Sequence, residues 1–218
     1  MNELLSGLNG GSVPSLELIY LITLVALLPS IVIMMTSFTR TIIILSFTRT
    51  AMGVQQTPPN MVLVGISIFL TLYIMNPTLT RINEEAYKPY KNGTITQEQC
   101  IDRMSAEMKE FMLRNTESAT LSRFVEMSKT ELQGDARDYP LTVVTPAFMT
   151  SELKRGFMAG LLIYLPFLLI DIVVSTTLMA MGMMMLPPAM VSMPFKLLLF
   201  VTVDGWGLLF SSIVRSFN

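Results

Sequence analysis

Residues 165–201 read LPFLLIDIVVSTTLMAMGMMMLPPAMVSMPFKLLLFV. Two apolar runs, one carrying Asp171 and the other Lys196, flank the tract Met179-Ala-Met-Gly-Met-Met-Met-Leu-Pro-Pro188. Glycine and a proline pair between two long apolar runs predict a helical hairpin with its turn in the methionines. A charge at the centre of a membrane-length run costs about 2.5–3.5 kcal/mol on insertion scales, so Asp171 and Lys196 call for a partner or a function.

Working outward, the composition places the whole chain in the same class. Half of its residues are apolar and only 14% are charged, with a mean hydropathy of +0.56, which is the profile of a membrane protein. The charge is segregated: 11 of the 15 Lys and Arg and 12 of the 16 Asp and Glu fall within residues 81–155. With no histidine and one cysteine, Cys100, the chain offers no imidazole for base catalysis and no internal disulfide. No metal or cofactor set and no nucleophile with a base stands out, and the chain reads as neither an enzyme nor a nucleic-acid binder.

Hydropathy divides the chain into three parts, residues 1–80, 81–150 and 151–218. The first holds a span at 16–35, with Pro29 as a kink, continued by 41–47 after Arg40, and a second span at 61–75. Fifteen residues make only about 22 Å of helix, short of a bilayer core of about 30 Å. Residues 1–13 contain Glu3 and no Lys or Arg, so the first span is expected to be an uncleaved helix. In the charged middle, Thr96 and Gln99 have the form of a capping box, and Cys100, Ile101, Met104, Met108, Phe111 and Met112 follow at helical spacing. A second helix is expected across 119–132 and a break at 134–138. Thr145-Pro146 reads as an N-cap with proline at the first helical position, launching a helix into a third span at 156–181. The fourth is expected at 190–210. Arg40 and Arg49 are read as lying in a short loop, which the positive-inside rule puts in the cytoplasm, with both termini and residues 81–155 outside.

Several quoted segments resemble one family. Leu165-Pro-Phe-Leu-Leu-Ile-Asp171, the tract at 181–188, Pro194-Phe-Lys-Leu-Leu-Leu-Phe-Val201, Asp204-Gly-Trp206, Pro146-Ala-Phe148 with Ser151-Glu-Leu153, and Gln55-Gln-Thr-Pro-Pro-Asn60 are similar to the FliP family of type III secretion export-gate subunits, in its flagellar branch. The resemblance implies an all-α membrane protein. Its four hydrophobic helical segments form two hairpins flanking a small helical extracytoplasmic domain. Several copies, a pentamer in the family, assemble with FliQ and FliR into a helical ring around an export channel of the flagellar basal body in the bacterial inner membrane. FlhA and FlhB lie nearby, and the cargo is unfolded export substrate. Many flagellar members carry a cleavable leader, which residues 1–13 do not resemble.

For Met183, Met184 and Met185 the residues alone favour adaptable filler at a helix end. The ring geometry that the resemblance implies makes them a gasket instead, soft enough to close on water and to part around varied polypeptides. For Asp171 and Lys196, a structural ion pair stands against an acid that protonates as a channel opens. Gly156 and Gly160 form a small-xxx-small pair that lets helices approach closely. Glu152, Phe111 and Phe124 are read as core or cap groups of the middle region or as contacts between copies. Asp204 and Trp206 are an interfacial anchor or a partner-helix contact. The alternative function is a stand-alone small-solute or ion transporter using Asp171 and Lys196, which would be expected to show internal repeats; none is evident here.

Overall fold

The structure is a computed structural model that describes residues 14–54, 56–128, 135–183 and 185–217. Met184 of the candidate gasket, Gln55, Gly134 and the leader question at 1–13 therefore lie outside the described residues. Every regular element among the described residues is helical: α1 (Pro14–Met35), α2 (Phe38–Ala51), α3 (Asn60–Ile82), α4 (Gln97–Asn115), α5 (Ser118–Met127), α6 (Leu141–Ala180), α7 (Pro188–Thr202) and α8 (Gly205–Arg215). Two helical stretches, Asn60–Lys91 and Leu141–Ala180, are long and apolar enough to cross a membrane, and up to four spans result if each of two sharply bent helix pairs counts as one.

The spine is α6. Its 40 residues extend about 60 Å, twice a bilayer core, and α1, α2, α4, α5 and α7 all pack on it. The most extensive packing is with α2. A Cβ added at Gly160 would lie 2.5 Å from Cγ of Phe47, and one at Gly156 would lie 3.1 Å from Cγ2 of Ile43. Phe157, on the same stretch, meets Phe47 edge to face at 5.4 Å between centroids.

Four sequence expectations are corrected. The first helix does not run straight on through Arg40: between Pro29–Met35 and Phe38–Ala51 the chain turns by 80°. At that bend hydroxyls replace part of the helical ladder, with Thr36 Oγ1 donating to the Val32 carbonyl and Thr39 Oγ1 to that of Ile33. The second span is not short. α3 runs 23 residues, about 34 Å, straight past Pro77, and continues through a π-helical segment, Asn83–Tyr87, and a final turn, Lys88–Lys91. Thr145-Pro146 does not start a helix, because α6 has been running since Leu141 with Pro140 before it, and Pro146 sits inside. The fourth span is broken: α7 and α8 meet at 64°, around Asp204 in the left-handed conformation at φ +51°.

The capping box holds as read. Thr96 Oγ1 accepts from the Gln99 amide at 3.3 Å and Gln99 Oε1 accepts from the Thr96 amide at 3.1 Å. From there α4 presents Phe111 and Met112 to Met75 of α3 and to Val144 and Phe148 of α6, one of three buried clusters among the described residues. A second joins Ile44, Leu45, Leu63, Leu209 and Ile213 from α2, α3 and α8. The third joins Ala51, Met52, Phe167 and Phe200. The charged region thus packs on the polar ends of α3 and α6, and the positions 80/81 and 150/151 fall inside those helices.

Candidate functional site: two buried ion pairs and a methionine turn

α2 carries Arg40 into the interior. Its Nε donates to Glu152 Oε2 at 3.0 Å and its Nη2 pairs with Glu152 Oε1. Nη1 donates to the carbonyl and to Oγ of Ser216, both at 3.0 Å. The guanidinium lies 3.7 Å over the ring of Phe217, which also stacks with Phe111 at 6.3 Å. Arg40 is 2% and Glu152 0% exposed. Arg40 is therefore not a loop residue, and the topology argument loses one of its two arginines. It ties α2, α6 and the end of α8 together, with the planar two-point geometry that arginine offers a carboxylate.

The second pair closes the α6–α7 hairpin. Lys196 Nζ lies 2.6 Å from Asp171 Oδ2, and Ser192 Oγ donates to Asp171 Oδ1 at 2.6 Å. Ser192 and Lys196 are four residues apart, so one face of α7 supplies both donors. The Lys196 side chain is 5% and that of Asp171 28% exposed, so the pair is buried at the cation and open at the acid. Gly53, in the turn between α2 and α3 at φ +78°, neighbours Lys196, with a Cβ there in ordinary contact with Nζ at 3.9 Å. The pair thus abuts the turn between the first two hairpin arms.

The methionine turn stands at the tip of this hairpin. Gly182 takes φ +74°, a conformation that side chains rarely adopt, and its amide bonds the Met179 carbonyl at 3.0 Å. The turn ends at Pro187, which precedes α7. Met185 is 99% exposed and Met183 is also exposed. Below the tip, α6 and α7 leave an apolar cleft of about 500 Å³ lined by Leu169, Val173, Val191 and Phe195.

The remaining candidates separate. Glu152 and Phe111 are covered by this chain alone, while Phe124 is half-buried on α5. Asp204 is exposed at the α7–α8 bend, where a Cβ at Gly207 would meet its carboxylate at 2.3 Å. Trp206 packs edge to face on Phe200 at 5.1 Å and beside Phe210 at 5.8 Å.

Sequence reasoning missed the Arg40 cluster and Ser192. Nothing local marks Arg40, whose acid lies 112 positions away. The i, i+4 spacing of Ser192 and Lys196 was a usable signal, as was the Asp204-Gly205 dipeptide for the bend.

Comparison with known proteins agrees over almost the whole chain. Residues 21–213 match the FliP family. The chain is 47% identical over 212 residues to the flagellar biosynthetic protein FliP of Pectobacterium carotovorum subsp. carotovorum, covering 96% of this chain and 82% of that one. It is 46% identical over 203 residues to that of Bacillus subtilis (strain 168), covering 93% and 92%. With that of Aquifex aeolicus (strain VF5) it shares 44% over 212 residues, covering 96% and 89%.

Proposed function

Because this chain belongs to the FliP family of flagellar biosynthetic proteins, we propose that it is a core subunit of the flagellar type III export gate. Several copies, with FliQ and FliR and with FlhA and FlhB beside them, surround the path by which unfolded flagellar proteins cross the cytoplasmic membrane. In this reading the α4–α5 region lies on the extracytoplasmic side. No catalytic step is involved.

The observation that carries the reading is the methionine turn. Met185 projects free of the chain at a hairpin tip whose two arms are locked behind it by Asp171, Ser192 and Lys196. A rigid arm ending in flexible thioethers suits a closure that several copies complete at one axis, because methionine re-packs around many shapes at low cost. The exposed apolar flanks, including Phe195 and Val173, suit packing against further helices.

The test replaces Met183, Met184 and Met185 together by alanine in cells and follows ion leakage alongside the native mass of the solubilised complex. Leaky membranes with an assembled complex containing FliQ and FliR support the gasket. Tight membranes with the same complex overturn it, and a chain that purifies alone as a monomer overturns the export-gate assembly itself.

A further inference from the structure

A groove with a cationic head and an apolar tail runs along α6, and the geometry points to one anionic phospholipid as its occupant. The head is a cleft of about 340 Å³ lined by Arg81, Arg114 and Arg155, with Asn115, Pro77 and Phe217 completing it. No carboxylate is among its lining residues.

Neighbouring cations already have acids of their own. Arg81 Nε is held 2.6 Å from Glu107, Arg40 by Glu152, and Lys154 Nζ 2.6 Å from Glu117. Among the described residues this leaves Arg114 and Arg155 with no ion pair, on one cleft. Arg81 adds a buried Nη2 that has no acceptor there. Two guanidiniums with no ion pair, beside a third whose Nη2 is unpaired, favour a phosphate, whose oxygens they bind in pairs.

The tail selects the source of that phosphate. Past Arg155 and Ser216 the cleft continues into a second, of about 390 Å³, where Ile44, Ala159, Ile163, Leu209 and Ile213 form an apolar wall beside Ser212 and Arg40, the latter already paired with Glu152. Ile163 and Leu209 also line a third, almost wholly apolar cleft that reaches Phe167 and Phe200. From residue 155 to 167, α6 supplies a wall about 18 Å long. Free phosphate has no use for such a wall, and a carboxylate from another chain would not fill it. An acyl chain does.

The position fits as well. No charged residue lies between Arg49 and Arg81, or between Arg155 and Asp171. Arg81 and Arg155 therefore mark where the two longest apolar helices turn polar, the level at which arginines near helix ends reach lipid headgroups.

The experiment is native mass spectrometry of the full chain in mild detergent, titrated with phosphatidylglycerol, with phosphatidylcholine and with inorganic phosphate. Three variants accompany it: Arg114→Gln with Arg155→Gln, Ala159→Leu to block the tail, and Arg123→Gln as a charge control, each checked for helix content by circular dichroism. Phosphatidylglycerol retained at least tenfold over phosphatidylcholine, lost in the first two variants and kept in the third, is the expected result. Should the double variant not fold, Arg114→Gln alone, at an exposed side chain, makes the same test. Equal retention of both lipids overturns the headgroup site. Inorganic phosphate bound equally well by wild type and Ala159→Leu, with no preference for phosphatidylglycerol, reassigns the cleft to a free anion. Loss of self-association in the arginine variants with no lipid bound reassigns it to a carboxylate of a second copy.

Discussion

Arg40 on α2 and Glu152 on α6, 112 positions apart, meet in a two-point ion pair from which solvent is almost wholly excluded. Breaking such a pair costs more than the pair itself contributes, because the survivor is left charged, buried and alone. Glu152→Ala is expected to cost about 3–5 kcal/mol, and Arg40→Met combined with Glu152→Leu distinctly less than the sum of the single changes. A double-mutant cycle on thermal unfolding of the solubilised chain measures the difference, and strict additivity would refute the coupling.

The α2–α6 contact depends on two missing side chains. At Gly160 an added Cβ meets Cβ of Phe47 at 2.8 Å, an atom fixed to the backbone, whereas at Gly156 the nearest atom is Cγ2 of Ile43 at 3.1 Å. Gly160→Ala is expected to destabilise by about 1–3 kcal/mol, as overpacking does, and Gly156→Ala by less. Equal melting temperatures for the two variants would contradict this ordering.

Asp171 and Lys196 are unequal partners. Lys196→Met leaves an acid that is 28% exposed and still bonded by Ser192, while Asp171→Ala leaves a lysine 5% exposed with its anion gone. The aspartate change is therefore expected to be the more damaging, by the cost of an unpaired buried charge. Protein yield and melting temperature of the two single variants decide it.

Gly205 lies under the ring of Phe200, where a Cβ would approach within 2.4 Å. Gly205→Ala must displace that ring from Trp206, the only tryptophan of the chain. The expected outcome is a shift of tryptophan emission to longer wavelength together with a changed α7–α8 bend. Unchanged emission would refute the displacement.

Glu117 joins α5 to α6 through Lys154, and the ammonium's hydrogen bond holds its carboxyl below the usual range. The folded value is the lower one, so the stabilisation is present above the unfolded value of about 4.3 and is lost as pH falls through the folded value. The melting difference between wild type and Glu117→Gln is expected to be small, since the pair is partly exposed, and to vanish once the pH has fallen through the folded value. A difference that grows in acid would reverse the assignment.

Local chemistry was legible wherever neighbours in sequence carry it. The Thr96–Gln99 capping box, the helical face of Phe111 and Met112, and the glycine and prolines of the methionine turn are all short-range features, and each lies where its pattern places it. The misreadings share a cause. Pro146 is a local start signal, overridden by a helix that already runs from Leu141. Arg40 looks like a loop charge because arginine in an apolar setting usually lies at a span's end.

By itself the sequence determined the class of the molecule: its apolar fraction, its segregated charge and its ordered motifs place it among membrane proteins and in the FliP family. Only the tertiary structure decided that the polar middle and the apolar arms share helices, because backbone hydrogen bonds are satisfied within a helix whether lipid, water or protein surrounds it. It alone also decided which charges pair. Coulomb attraction and desolvation depend on distance through space, and the distance along the chain from Arg40 to Glu152 holds no trace of it.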